Sequence, residues 1–195
     1  MKKRNLEIIL QGVYDFDDPK PRLEQYITPA SIAADILYNA FDDISGKRLI
    51  DLGCGTGMFA IGGALLGADA TGVDADESAI RKAEAFCSEN GIKARFVCSD
   101  VSDFLERCDT VVMNPPFGSQ RRHADRPFMD KAIEIGEVIY HLCLSETEDF
   151  VERYYHARGR DAEEVKRYML EIRHRFDFHT KDKRLYEVSL IKVIV

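Results

Sequence analysis

The sequence predicts an α/β fold built as a doubly wound, mostly parallel sheet, and three observations predict it. From Lys47 onward, short apolar runs alternate with helix-patterned stretches, the rhythm of strand–helix–strand units. The first run passes directly into Gly53-Cys54-Gly55-Thr56-Gly57 and then into the apolar stretch 58–66, so strand, glycine loop and helix succeed one another. Near the end, residues 168–178, a charged turn at 181–184 and the apolar-rich 185–195 read as an antiparallel hairpin that reverses the last strand.

The elements follow in order. Residues 1–45 read as a helical segment that closes over the site, with a helix near 29–41. Lys47-Arg48-Leu49-Ile50 is the first strand and 70–73 the second, ending at Asp74. A helix over 77–90 has Asp76 as its cap and Gly91 as its stop. The third strand is 94–98, the fourth 110–113 and the fifth 138–144. A helix then begins at Ser145, reaches Ala157 and stops at Gly159. With 195 residues, 45% of them hydrophobic, and no Pro/Ser-rich linker, repeat or low-complexity segment, 1–195 is expected to form one domain.

Asn114-Pro115-Pro116-Phe117 closes the fourth strand. The residue before a proline is pushed out of helical conformation and the second proline fixes φ again, so Asn114 and the Pro115 carbonyl should be held rigidly at a strand's carboxyl end, where open α/β sheets bind ligands. An amide oxygen and a carbonyl aimed together accept both hydrogens of a planar exocyclic amine, while Phe117 offers a face for its ring. Taken alone, the tetrapeptide reads equally well as a proline-rich turn.

The glycine loop supplies the second half of a site. Glycines at alternate positions let a ligand approach the backbone beside a helix amino end. The spacing is G-x-G-x-G, with Asp51 two positions before Gly53, unlike the G-x-G-x-x-G of dinucleotide sites. Asp51 would repel a pyrophosphate and attract a cation. Asp74, about 20 residues on, is placed for ribose hydroxyls. The third strand ends at Ser99-Asp100-Val101, where Asp100 can accept from an adenine amine. A ribose without pyrophosphate beside a positive charge describes S-adenosylmethionine, held by Asp51, Gly53, Gly55, Gly57, Asp74, Asp100 and Val101 and bordered by Asn114.

Asp51 to Gly57, Asp74, Asp100 and Asn114 to Phe117, in that order, resemble the class I adenine and amino-group methyltransferases. The longer string Asn114-Pro115-Pro116-Phe117-Gly118-Ser119-Gln120, on to His123-Ala124-Asp125-Arg126-Pro127-Phe128, with Leu23-Glu24-Gln25-Tyr26-Ile27-Thr28 upstream, is similar to the methyltransferase-like protein 5 group, its archaeal members above all. The likeness runs from about Leu23 to Ser145. It implies a seven-stranded sheet with an antiparallel last strand and methylation of N6 of an adenosine in small-subunit ribosomal RNA. It also implies a cofactor pocket closed by Gln25, Tyr26 and Thr28; by residue chemistry alone Tyr26 is as readily a packing residue. The group works with a small zinc-binding activator subunit, which would pair with the third-strand edge; Lys93 and Arg95 there serve equally to guard a bare edge. Where relatives place a histidine after the fifth strand, this chain has Cys143, with His141 two positions earlier.

Composition bounds the rest. With 34 acidic against 27 basic residues, net −7, the protein does not grip nucleic acid with its whole surface. Local binding is expected from Arg121, Arg122 and Arg126 beyond the pocket, with Phe117 as the stacking face, and from Lys2, Lys3, Arg4, Lys20 and Arg22 folding over the same side; read alone, both clusters are solvated loops. The five cysteines form no C-x-x-C pair and lie apart from the histidines, so no metal site is expected and the thiols read as buried. No apolar run of ~20 residues is present, and the basic start is followed by a segment too short for a signal core, so a cytoplasmic protein is expected. The same amine-accepting motif also suits a protein glutamine amide or a DNA base. A nicotinamide oxidoreductase is disfavoured by Asp51, and a non-catalytic binding module by intact Asn114 and Asp74.

Overall fold

Seven strands, β1 (Arg48–Leu52), β2 (Asp69–Asp74), β3 (Arg95–Cys98), β4 (Thr110–Met113), β5 (Val138–Leu144), β6 (Asp161–Arg173) and β7 (Lys183–Ile194), pair in one sheet in the order β3-β2-β1-β4-β5-β7-β6. The computed structural model describes residues 1–118, 122–173 and 183–195. β1 to β5 are parallel, and β7 runs antiparallel to both β5 and β6. Strand order reverses between β1 and β4, which makes their carboxyl ends the switch point where such sheets bind ligands. Leu52 stands opposite Met113, so the glycine loop and Asn114 leave the sheet side by side.

Period-two alternation sorts the sheet residues onto two cores. Leu49, Val112, Tyr140, Leu142 and Leu190 face α1 (Lys3–Leu10), α2 (Ala30–Asn39), α3 (Phe41–Ile44), α4 (Met58–Leu65) and α5 (Glu77–Asn90). Ile50, Leu52, Val111, Met113, Ile139 and Ile191 face α6 (Arg126–Ile135) and α7 (Glu148–His156). α4 is pressed into place by its glycines: a Cβ on Gly63 would lie 2.1 Å from Leu49 Cδ2, and one on Gly62 2.3 Å from Leu37 Cδ1. That closeness seats the helix carrying the glycine loop against β1 and α2.

α5 has the expected bounds, with the Asp76 side chain accepting from Ser78 N and Gly91 at φ +63°. Three elements differ from expectation. α1 gives the helical segment 1–45 a first helix of its own, ahead of the one expected near 29–41, because Leu6 and Leu10 share a helix face and are fully buried. β6 begins at Asp161 rather than at 168; it is an edge strand exposed on both faces from Glu163 to Arg167, which hides its period. A 3-10 turn, Ser145–Thr147, precedes α7. The charged turn at 181–184 falls partly outside the described residues, and Cys98, expected buried, is exposed. Among the described residues no helix is long and apolar enough to cross a membrane.

Candidate active site

A cavity of about 530 Å³ opens over the carboxyl ends of the central strands, within the size range of small-molecule sites. Asp51, Gly53, Gly55, Asp74, Asp100 and Val101 line its floor, and Gln25, Tyr26, Thr28 and Asn114 line it too. Gly57 does not: it caps α4 at φ +92°, where a Cβ would lie 2.9 Å from Phe96 Cε1 and 3.0 Å from Ala83 Cβ, so its role is to shape the turn.

Backbone hydrogen bonds fix the floor. Gly55 N donates to Asp74 Oδ2 at 2.8 Å and Asp76 N to Asp74 Oδ1 at 2.8 Å, leaving each oxygen a further acceptor position for a pair of hydroxyls. Asp51 is 1% exposed, and its Oδ2 accepts from Ala60 N at 2.9 Å. Burial pushes its carboxyl up to about 7, reinforced by nearby Asp74 and opposed by the N–H groups of Ala60 and Phe59. Asp100 Oδ1 accepts from Ser102 N, opening a 3-10 turn at Val101–Asp103. Two aromatic walls escaped the sequence reading: a Cβ on Gly55 would lie 2.7 Å from Phe16 Cζ, and one on Gly53 2.8 Å from Phe128 Cε1. The close approach demanded by the glycines signals that some ring must sit there, although nothing local names Phe16 or Phe128.

Asn114 stands at the wall of this cavity. Tyr26 Oη donates to Asn114 Oδ1 at 3.1 Å, and Asn114 Nδ2 donates to Thr28 Oγ1 at 3.0 Å. The Tyr26 and Phe117 rings lie 5.6 Å apart, tilted by 39°. Beyond Asn114 is a second cavity, about 240 Å³, lined by Pro115, Phe117, His141 and Phe150 among others. Pro115 and Phe117 therefore belong to this second space, while Pro116, Arg122 and His123 line both. The Asn-Pro-Pro-Phe segment is a partition between two chambers.

Residues 30–135 match the family model of the methyltransferase small domain. The chain is 35% identical to the rRNA N6-adenosine-methyltransferase METTL5 of Danio rerio, over 98% of this chain and 98% of that one. The chain belongs to the METTL5 family. It is also 38% identical to an uncharacterised protein of Methanocaldococcus jannaschii, over 98% of this chain and 92% of that one. A crystal structure of a proposed RNA methyltransferase from Pyrococcus horikoshii superposes with a TM-score of 0.92 at 38% identity, covering 100% of this chain and 98% of that one.

The cavity's chemistry fits the methyl donor of class I methyltransferases, S-adenosylmethionine. Asp51, Asp74 and Asp100 border it, and the Lys20 ammonium, outside the lining, is taken up by Asp76 at 2.6 Å. The three carboxylates suit a cation and a ribose diol better than a pyrophosphate.

The remaining polar residues sort out around this METTL5-family site. His141 is 1% exposed, its Nδ1 bonded to the Tyr155 hydroxyl at 3.2 Å, and burial pushes its pKa down to about 3. Burial pushes the Cys143 thiol up to about 12, so neither group is charged near neutral pH. Arg122 is exposed on the rim of both cavities, whereas Arg126 lines neither: it opens α6 with its guanidinium 5.5 Å from the centre of the Phe150 ring. Arg121 lies outside the described residues. Lys3, expected over the site, instead pairs with Asp35, because α1 packs on α2.

Proposed function

We propose that this chain transfers a methyl group to N6 of an adenosine in small-subunit ribosomal RNA. One observation carries the reading: Asn114 lines a cofactor-sized chamber, and Pro115 and Phe117, which follow it in the chain, line a smaller one beside it. When bound, S-adenosylmethionine supplies an electrophilic methyl group. Asp74 would hold the ribose hydroxyls, Asp51 the ammonium end, and Asp100 with Val101 the adenine, over the turn made by Gly53, Gly55 and Gly57. The segment 1–45 contributes the wall bearing Gln25, Tyr26 and Thr28 to a single-domain enzyme.

The target N6 lone pair is delocalised into its ring. Asn114 Oδ1 and the Pro115 carbonyl, by accepting both amine hydrogens, localise that pair and aim it through the partition. Phe117 stacks on the flipped base, a contact of ~1–3 kcal/mol. Once methylated, the nitrogen is strongly acidic, and its surplus proton leaves past the Pro115 carbonyl to water. His141, buried and of low basicity, has no part in this. Positioning supplies most of the acceleration, and well-oriented reactants recover ~7–11 kcal/mol of barrier.

The reading extends to partners and place. Arg122 contacts RNA phosphate at the rim. A small zinc-binding activator subunit pairs with β3, supported by that strand's position at the sheet edge and by Leu105 nearby at 74% exposure. The reaction is cytoplasmic. Incubation of the protein with labelled cofactor and small-subunit ribosomal RNA, followed by site mapping, should yield one N6-methyladenosine, and Asn114→Ala should abolish it with the fold intact. Labelling of DNA or of a protein glutamine in place of RNA would refute the substrate. Co-expression with candidate activators tests the partner: full activity as a soluble monomer that captures none would dismiss it.

A further inference from the structure

Asn114 carries the proposed chemistry, yet a carboxamide is an ambiguous tool. Its two ends are nearly the same size, and a half-turn about the last side-chain bond exchanges an acceptor for a donor. A target amine brings two N–H groups and has no use for a facing NH2. Something must therefore hold the oxygen end toward the substrate.

We infer that Tyr26 and Thr28 are positioning residues that set the Asn114 carboxamide for the target amine, beyond lining the cofactor chamber. The inference rests on the reading of Asn114 as the amine acceptor. Tyr26 Oη donates to Oδ1 at 3.1 Å, and Thr28 Oγ1 accepts from Nδ2 at 3.0 Å, so both ends of the amide are held by residues more than 80 positions away in the chain. An amide oxygen has two acceptor positions. Tyr26 fills one, which leaves one for a single amine hydrogen, and the second amine hydrogen falls to the Pro115 carbonyl.

The surroundings keep these roles fixed. Thr28 is 6% exposed and precedes Pro29, which disfavours helical backbone there. Burial pushes the Tyr26 hydroxyl well above its ordinary value, more than the Asn114 hydrogen bond lowers it, so it remains a donor throughout the working pH range. The Tyr26 ring also lies against Phe117. One residue thus touches both the amine acceptor and the ring proposed to stack on the base. Gln25, next in the chain, is hydrogen-bonded to Asp76 and anchors the segment from outside.

Tyr26→Phe and Thr28→Val separate this role from packing, because each keeps the side chain's shape and removes only the hydroxyl. With wild-type protein shown to methylate adenosine N6, each variant should lower kcat roughly two- to tenfold, the scale of losing one orienting hydrogen bond. Cofactor Kd by calorimetry should stay within about twofold, with melting temperature near wild type, and Thr28→Ser should restore the rate. If Thr28→Val fails to fold, Tyr26→Phe alone decides. Unchanged kcat in Tyr26→Phe, or a loss of cofactor affinity equal to the loss of rate, would overturn the inference and return Tyr26 to the cofactor wall. Failure of the underlying reading looks different: wild type would then leave adenosine unmethylated, or Asn114→Ala would retain activity.

Discussion

Gln25 Nε2 donates to Asp76 Oδ2 at 2.7 Å, joining the amino-terminal wall of the cofactor chamber to the loop that follows β2. Lys20 adds two contacts, its Nζ to Asp76 Oδ1 at 2.6 Å and its backbone N to Gln25 Oε1 at 2.7 Å. Burial alone would raise the Asp76 pKa, but hydrogen bonds from Gln25, Lys20 and Ser78 outweigh it and hold the carboxyl well below the usual range. The loop after β2, whose Asp76 N also donates to Asp74, and the segment bearing Tyr26 are therefore one mechanical unit. Asp76 also caps α5 through Ser78 N.

That double role predicts two different phenotypes. Gln25→Ala removes only the tie, so cofactor affinity should fall several-fold, on the scale of ~0.5–1.5 kcal/mol for one hydrogen bond, with little change in melting temperature. Asp76→Ala removes the tie and the cap together, and should in addition lose about 1 kcal/mol of stability. Calorimetry and thermal melts on the two variants check this. Equal losses of stability in both would show that Gln25 supports the fold rather than the chamber.

Asp51 predicts a pH dependence of cofactor binding. Its pKa in the free protein is pushed up to about 7, so below that pH the carboxyl is protonated and neutral. A cationic ligand stabilises the carboxylate, so binding must expel that proton, and affinity should fall as pH drops from roughly 7.5 to 5.5, approaching tenfold per unit at the low end. The ligand's own amine, with an ordinary value near 7.7–8.0, is mostly charged at the top of that window and fully so at the bottom, so its titration does not cause the fall. The sign for folding is the reverse. Because the folded value is raised, the free protein is most favoured with Asp51 neutral and loses that advantage as pH rises through about 7. Asp51→Asn should flatten both profiles. A cofactor Kd independent of pH in the wild type would place the ammonium elsewhere.

The fold was legible where burial is two-sided and signals are local. β4 and β5 are apolar runs with few charges, and α5 is punctuated by its own cap and stop, so their bounds emerge from the sequence alone. α1 and β6 were not legible, because a pair of buried leucines in a polar run and a charged edge strand look alike to periodicity. At the site, Asp51, Asp74, Asp100 and Asn114 stood out because each lies at or just beyond the end of a strand. Gly57 carried the same spacing as Gly53 and Gly55, yet it faces Phe96 and Ala83 in the packing below the loop. Phe16, Phe128 and the grip of Tyr26 and Thr28 on Asn114 arise from contacts between segments far apart in sequence, which no local pattern encodes.

Arg122 and Arg126, grouped by sequence as phosphate contacts, should separate in experiment. Arg122 is exposed where the two chambers meet, while the Arg126 guanidinium lies over Phe150 and its Nε is buried with no hydrogen-bond partner among the described residues. A phosphate contact releases counterions, so Arg122→Ala should weaken RNA binding across sequences and lower the slope of log K against log salt by about one unit. Arg126→Ala should leave that slope unchanged and instead lower the melting temperature, since it removes a cation–π contact of ~0.5–2 kcal/mol between α6 and α7. Filter binding across roughly 50 to 200 mM salt, beside thermal melts, reads both effects. A reduced slope in Arg126→Ala together with an unchanged one in Arg122→Ala would reverse the assignment and move the RNA path from the partition to the α6–α7 face.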